Sequence, residues 1–273
     1  MNNNETKMLL LLKILREECG GSYVRAEFEA EGLALQDLLR LKEVAVRAGY
    51  PIALKIGGCE GLRDLGETKI IGTDKIIAPM IESGFALRKF FQALGKTYTS
   101  GNEEAEFWFN FETKTAYKNL DKILAEPAFD SMAGVVIERV DLCFSLDMGA
   151  DDVDSPKISP IVKTIAQSVK SKGKKVTIGG GVSSRSVASL IELRDAGLLD
   201  YAETRKVGFN LLDQGVDSEK LRKGVLIAVA FEILFLENRT SFFNAIDVRD
   251  NERILYLRNT YANAIRDIVP NFY

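Results

Sequence analysis

Residues Phe107 to Leu142 read FWFNFETKTAYKNLDKILAEPAFDSMAGVVIERVDL and contain the clearest indication of the fold. Apolar runs at Phe107–Phe111 and Gly134–Ile137 predict two buried strands, and the residues between them include a helical segment at Thr115–Leu124. A strand, a helix and a second strand in this order predict a right-handed crossover between parallel strands. The stretch therefore predicts an α/β fold built on a parallel sheet.

The same alternation continues on both sides of this stretch. Further strands are predicted at Tyr23–Glu29, Ile52–Ile56, Lys75–Ala78, Lys175–Ile178 and Tyr201–Phe209. Further helices are predicted at Leu38–Ala48, Phe85–Leu94, Ile158–Val169 and Ser186–Arg194. Repeated strand and helix units with few long insertions favour a single (β/α)8 TIM-type barrel over an open sheet. Residues 1–20 look helical, so the first of the eight expected strands is not visible; either it is degenerate or something else fills its place.

The pattern changes after residue 216, where extra C-terminal helices are predicted over residues 217–273. Val225–Leu236 is apolar on nearly every side of a helix, and the stripe from Ile254 to Ile268 also repeats at helical spacing. These helices either complete the outer ring of the barrel or supply a surface for self-association. We expect self-association into a homo-oligomer. No linker divides the chain, so residues 1–273 are predicted to form one barrel domain with an N-terminal helix.

Composition narrows the possible partners and compartments. The 273 residues carry 36 Lys and Arg against 39 Asp and Glu, so no excess of positive charge points to nucleic acid or to an anionic membrane. The short apolar run Met8–Leu15 lacks the basic flank of a signal peptide, and the three cysteines lie far apart. We expect a cytoplasmic protein that acts on a small molecule.

The chain contains no histidine. This absence excludes Ser-His-Asp triads, Cys-His dyads and zinc sites built on imidazole. Proton transfer and metal binding must therefore use carboxylates, lysine, tyrosine, cysteine or water, which favours hard cations held by oxygen ligands.

In a parallel barrel, functional side chains lie at the carboxyl ends of the strands. The polar residues predicted at or just after these ends are Glu29, Glu31, Lys55, Glu82, Glu112, Asp141, Gly179, Gly180, Gly181 and Arg205. A ring of carboxylates around one mouth is unfavourable unless a cation offsets the repulsion, so a Mg²⁺ or Mn²⁺ site is predicted.

Glu112 and Asp141 are the candidate metal ligands, because each follows a buried strand of the central stretch. Two carboxylates from adjacent strands can converge on one cation and leave the other positions to water and a chelating substrate. A structural alternative is that each caps the next helix or that Asp141 forms a salt bridge to Arg139.

Three motifs in this region carry a family resemblance: Ile77–Ser83, Phe111–Ala116 and Glu138–Leu142. Together they resemble the HpcH/HpaI aldolase and citrate lyase family of the pyruvate and phosphoenolpyruvate barrel superfamily. The resemblance implies that Glu112 and Asp141 hold Mg²⁺ or Mn²⁺, and that the metal chelates the carboxylate and keto oxygens of a pyruvate-like substrate.

Lys55 stands where this family commonly has an arginine near the substrate's keto oxygen. A lysine keeps the charge but loses the bidentate fork, so we expect it to bind substrate and to stabilise an enolate. A Schiff-base lysine is the alternative. Gly32 stands where many members have a catalytic histidine, so Glu29, Glu31 or a metal-bound water is expected to move the proton, unless the aldol step has been lost.

Gly179 and Gly180 precede a predicted helix, in a loop whose backbone N–H groups could bind a phosphate or carboxylate together with Arg205. The alternative for the glycines is a tight turn with Ser183 or Ser184 as the helix cap. We expect a metal-dependent carbon–carbon lyase of the class II aldolase type, acting on a 2-oxo or hydroxy-oxo acid. The alternatives are an acyl-CoA lyase of the citrate lyase type and a barrel that binds an oxo acid without turnover.

Overall fold

The computed structural model describes residues 1–98, 105–213, 215–243 and 248–269. Within these residues, eight strands close into a barrel in chain order. The strands are β1 Gly21–Glu27, β2 Ile52–Lys55, β3 Lys75–Ala78, β4 Glu106–Phe111, β5 Gly134–Glu138, β6 Lys175–Gly179, β7 Tyr201–Glu203 and β8 Val207–Asn210. The predicted closed barrel with extra C-terminal helices is confirmed.

One strand departs from the predicted pattern. β1 to β7 pair in parallel, but β8 is antiparallel to both β7 and β1. The prediction of one strand over Tyr201–Phe209 is therefore wrong, because Thr204–Lys206 forms a tight connection between two strands. The Thr204 N–H donates to the Val207 carbonyl oxygen at 2.9 Å, which closes this turn. The prediction that the first strand is the missing one is also wrong, because β1 is the first strand and the hairpin supplies the eighth.

The helices form the layer outside the strands. They are α1 Asn3–Glu18, α2 Leu35–Arg47, α3 Leu62–Ile71, α4 Gly84–Thr97, α5 Lys114–Lys118, α6 Leu120–Leu124, α7 Arg139–Ser145, α8 Ser159–Ser171, α9 Val187–Asp195, α10 Ser218–Phe243 and α11 Val248–Ile268. The segment predicted as one helix, Thr115–Leu124, is two short helices that meet at Asn119. Helix α3 escaped prediction because Thr68 interrupts the apolar stripe on its buried face.

Helix α10 is apolar on nearly every side because the chain itself covers it. It packs against α1, α9 and α11, and the α10 residues Val225 and Phe231 are fully buried. At its edge, Arg253 of α11 pairs with the buried Glu232 of α10 at 2.8 Å. The expectation that these helices complete the outer ring is thus met within the chain, while the homo-oligomer stays a prediction.

The lower half of the barrel interior is aromatic. The Tyr201 ring centroid lies 6.1 Å from that of Tyr23 and 6.2 Å from that of Trp108. The buried Lys75 ammonium lies 3.7 Å from the centre of the Trp108 ring, and burial lowers its pKa to about 8. This layer occupies the barrel interior towards the amino ends of the strands.

Among the described residues, no helix has the length and the apolar character needed to cross a membrane.

Candidate functional site

A second layer inside the barrel, next to the carboxyl ends of the strands, is charged. Along β1 the side chains of Tyr23, Arg25 and Glu27 share one face of the strand because successive residues alternate between faces. All three are buried. Strand β1 thus passes from the aromatic layer into a cluster of ionised groups.

Arg25 lies at the centre of this cluster. Its Nη2 is 3.4 Å from carboxylate oxygens of Glu27 and of Glu138, and its Nε is 3.0 Å from Glu203 Oε1. Burial alone would lower the pKa of Arg25, but the surrounding carboxylates raise it instead. One guanidinium therefore links β1 to β5 and β7 across the barrel.

Lys55, at the end of β2, keeps its charge in this setting. Its Nζ lies 2.9 Å from Glu27 Oε2. Burial and the charge of Arg25 lower its pKa, but Glu27 and Glu112 outweigh them and raise it above the usual value. A Schiff-base lysine needs the neutral amine, so this environment favours the role of stabilising negative charge.

Glu27 is the partner that holds both cations in place. Burial favours its neutral form, but Arg25, Lys55 and Arg205 outweigh burial and hold its pKa at about 2. Sequence reasoning extended this strand to Glu29 and missed Glu27, which is its last residue. The available signal was the pair of charges at every second position of an otherwise apolar strand, Arg25 and Glu27.

Glu112 lies directly after β4, and its side chain is held from two sides. The Met80 backbone N–H donates to Oε1 at 2.5 Å, and Asn110 Nδ2 donates to Oε2 at 2.9 Å. Met80 adopts a left-handed backbone conformation (φ 55°) in the loop after β3. Burial raises the pKa of Glu112, Lys55 opposes the rise, and the charge of Asp141 adds to it.

Asp141 lies in the first turn of α7, on the exposed face of that helix. The helix cap and the salt bridge to Arg139, given above as alternatives for these carboxylates, are formed by other residues. Thr113, not Glu112, caps α5, and Arg139 pairs with Asp154 at 2.6 Å. The charge of Asp141 contributes to the raised pKa of Glu112, after burial, which is the largest cause.

Within the described ranges, no group of three or more Asp, Glu, Cys or His side chains could hold a metal ion. A pair of carboxylates nevertheless fits Mg²⁺, which is usually bound by one or two carboxylates and keeps several waters. The hydrogen bonds from Met80 and Asn110 would orient the ligand oxygens of Glu112. Glu112 and Asp141 both offer the hard oxygen donors that such an ion takes, and the metal stays a prediction.

Glu31 and Arg205, both predicted to be functional, contact each other. Glu31 is buried, and its carboxylate accepts hydrogen bonds from Arg205 Nε at 3.1 Å and from Lys206 Nζ. This cluster ties the loop after β1 to the turn between β7 and β8. Both carboxylate oxygens of Glu31 accept hydrogen bonds from these cations. These contacts are typical of a residue that stabilises the fold.

The loop around Gly32 is held from outside the barrel. Arg239 of α10 donates to the backbone carbonyls of Glu31 and Gly32 at 2.8 and 3.0 Å. Glu29 is exposed, and its carboxylate lies beside Gly57 in the loop after β2, where a Cβ would come within 2.6 Å of Oε2. None of the contacts described for Glu29 or Glu31 involves Glu112. The structure therefore gives no contact that would make either carboxylate the replacement for the family's histidine.

Gly179 and Gly180 make room for the carboxyl end of β5. A Cβ on Gly179 would lie 2.4 Å from Glu138 Oε2, and one on Gly180 would lie 2.6 Å from the backbone nitrogens of Arg139 and Val140. Helix α9 begins later, at Val187. The Glu138 carboxylate therefore faces the Gly179–Gly180 loop, which was predicted to bind an anion. A substrate-binding role for these glycines stays a prediction.

Comparison with known proteins gives a fold and no close relative. No protein-family model and no curated protein matches the chain.

Three solved structures show the same fold at low identity. An HpcH/HpaI aldolase from Desulfitobacterium hafniense DCB-2 is 14% identical with a TM-score of 0.57, covering 70% of this chain and 79% of the other. An HpcH/HpaI aldolase/citrate lyase family protein from Burkholderia cenocepacia J2315 is 14% identical with a TM-score of 0.59, covering 73% and 83%. A citrate lyase from Burkholderia xenovorans LB400 is 14% identical with a TM-score of 0.58, covering 98% and 92%.

The fold that the sequence motifs implied is thereby confirmed. At these identities the likeness concerns the fold alone.

Proposed function

We propose that the chain is a carbon–carbon lyase that forms or cleaves an aldol-type bond next to a 2-oxo acid. The observation that carries the proposal is the buried carboxylate of Glu112, which lies directly after β4, is held by the Met80 N–H and Asn110 Nδ2, and shares the barrel mouth with Lys55. The names of the structures with the same fold, aldolases and a citrate lyase, support this class of reaction.

Glu112 and Asp141 would hold Mg²⁺ or Mn²⁺, because both offer hard oxygen donors. When bound, such an ion supplies a positive charge that polarises a keto oxygen. Glu112 is only 2% exposed, so its carboxylate is already removed from bulk water before a ligand binds.

Lys55 supplies positive charge from the protein itself. Its ammonium is buried and held at 2.9 Å by Glu27, so its position costs little reorganisation when negative charge develops on the substrate. We propose that it binds the carboxylate or the keto oxygen of a pyruvate-like acid and stabilises the enolate. Arg25 contributes by keeping Glu27 ionised, and hence Lys55 paired.

The test is the release of pyruvate or oxaloacetate from a panel of hydroxy-oxo acids, with and without Mg²⁺ or Mn²⁺. Glu112→Gln and Asp141→Asn are expected to lower the metal-dependent rate at least about 100-fold. Asp121→Asn, at an exposed position of α6, is the matched control. Full metal-dependent activity in both site variants would refute the assignment.

A second candidate, an acyl-CoA lyase of the citrate lyase type, is favoured by the coverage of the citrate lyase match, which extends over 98% of this chain. Adding acyl-CoA thioesters to the same panel separates the two reactions. A barrel that binds an oxo acid without turnover would bind oxalate with Mg²⁺ in calorimetry and release no product from any substrate.

A further inference from the structure

Glu138 is a buried carboxylate at the barrel mouth with one free oxygen. It is the last residue of β5 and only 8% exposed. Its Oε1 lies 3.4 Å from Arg25 Nη2, whereas its Oε2 has no hydrogen-bond donor among the described residues. A buried acceptor without a partner costs free energy, so a proton on this oxygen, or a donor brought to it, would lower that cost.

The free oxygen faces the glycine loop after β6. A Cβ on Gly179 would lie 2.4 Å from Glu138 Oε2, and a Cβ on Gly180 would lie 3.0 Å from it. Any other residue at these positions would crowd the carboxylate. The two glycines, which were predicted to bind substrate, thus let the backbone approach the Glu138 carboxylate closely.

Charged groups from four other elements surround Glu138. They are Arg25 on β1, Lys55 on β2, Glu112 after β4 and Glu203 on β7. Burial raises the pKa of Glu138 to about 7, with Glu203 and Glu112 adding to the rise and Arg25 and Lys55 opposing it. The group therefore gains and loses a proton near neutral pH, which suits a general acid and base.

Three neighbouring carboxylates, those of Glu27, Glu31 and Glu203, are paired with cations; Glu203 Oε1, which also lacks a hydrogen bond within the described part of the chain, lies 3.0 Å from Arg25 Nε. Glu27 stays ionised, with a pKa of about 2, and pairs with Arg25 and Lys55. Glu31 pairs with the β7–β8 turn, and Glu203 accepts a hydrogen bond from Tyr23 Oη at 2.6 Å. Glu138 combines a free oxygen with burial at the mouth.

We propose that Glu138 is the proton-transfer residue of this barrel, in place of an imidazole. The inference rests on the proposed function. Ionised Glu138 takes a proton from C3 of a pyruvate-like acid, so that the C3–H bond breaks and an O–H bond forms on the carboxylate. The electron pair moves into the C2–C3 bond and onto the keto oxygen, and protonated Glu138 returns the proton to C3 in the reverse step.

The test is deuterium exchange into the methyl group of pyruvate in D2O with Mg²⁺, followed by proton NMR, because enolisation needs no second substrate. Wild-type protein is expected to exchange with a rate that rises with pH about a midpoint near 7. Glu138→Gln should lose at least about 100-fold of this rate. Glu43→Gln, at an exposed ion pair of α2, is the matched control.

Two further measurements apply to the same variants. Oxalate binding with Mg²⁺, measured by calorimetry, should be retained in Glu138→Gln, which shows that the fold and the site persist. A carbon-13 NMR titration of glutamate-labelled protein without metal should show one carboxyl midpoint near 7, absent from Glu138→Gln.

The outcomes separate the two proposals. Exchange by wild-type protein that persists in Glu138→Gln, or a Glu138 midpoint between 4 and 5, overturns the role of Glu138 and leaves the lyase proposal standing. The same holds if Glu29→Gln, not Glu138→Gln, abolishes exchange. Absence of exchange in wild-type protein overturns both.

Discussion

A single guanidinium, that of Arg25, faces three carboxylates inside the barrel at 3.0 to 3.4 Å. Removing it would leave buried charges without a partner. We expect Arg25→Met to lower the free energy of unfolding by about 3–5 kcal/mol, measured by urea denaturation. Arg63→Met, at an exposed pair on α3, should change it by less than about 0.5 kcal/mol. A loss below about 1 kcal/mol for Arg25→Met would contradict the cross-barrel role.

Glu27 makes the fold sensitive to acid. Its pKa is about 2 in the folded protein, below the ordinary value of 4.5, so its contribution to stability is present above 4.5 and is lost as the pH falls through about 2. The contribution is at most about 3 kcal/mol. In Glu27→Gln, the free energy of unfolding should fall less steeply between pH 4.5 and 2 than in wild-type protein or in Glu43→Gln. Equal slopes would show that Glu27 is not held ionised.

Gly179 is required by the carboxylate beside it. Gly179→Ala places a Cβ 2.4 Å from Glu138 Oε2 and is expected to cost about 1–3 kcal/mol of unfolding free energy. The cost should shrink in a Glu138→Ala background, because the clashing group is gone. Gly66→Ala, in α3 with open space around it, should be neutral or stabilising by up to about 1 kcal/mol. An equal cost in both backgrounds would contradict this contact.

At the scale of elements, continuous apolar runs were the reliable signal. Strands β4 and β5 follow the predicted runs within one residue, since strands buried on both faces leave few polar positions. The reversal between β7 and β8 could not be predicted, because Thr204–Lys206 contains no glycine, proline or asparagine to mark a turn.

The rule that functional residues lie at strand ends identified part of the charged mouth, but it passed over Glu27 and Glu138, which end β1 and β5. Lys55 and Glu112 satisfied that rule. Arg25 lies inside its strand, and its partner Glu138 is 113 positions away, so their meeting depends on barrel closure. Such pairs cannot be derived from local patterns in one sequence.

The link between the β1 loop and the β7–β8 turn can be tested through Glu31. Lys206 is fully buried, and Glu31→Gln would leave its charge without a partner. We expect a loss of about 2–4 kcal/mol in unfolding free energy, with faster amide exchange in β7 and β8. Pyruvate exchange per folded molecule should persist. Unchanged stability combined with lost exchange would instead make Glu31 catalytic.

At the scale of the whole molecule, the barrel and its C-terminal helices form one packed unit, with α10 covered by α1 and α11. Leu255 and Tyr256 on α11 are 59% and 54% exposed. We expect a homo-oligomer, measured by light scattering at micromolar concentration. The mass of a single chain would contradict this expectation.

The aromatic lower layer, the charged upper layer and the carboxylates at the mouth together direct chemistry to one end of the barrel. We propose that Glu112 and Asp141, at the carboxyl end of the barrel, support enolisation of a 2-oxo acid. The most direct test of this claim is pyruvate methyl exchange in D2O, with and without Mg²⁺, in wild-type protein, Glu112→Gln and the Asp121→Asn control. We predict metal-dependent exchange in wild-type and control proteins and a loss of at least about 100-fold in Glu112→Gln; equal metal-dependent exchange in all three would contradict the claim.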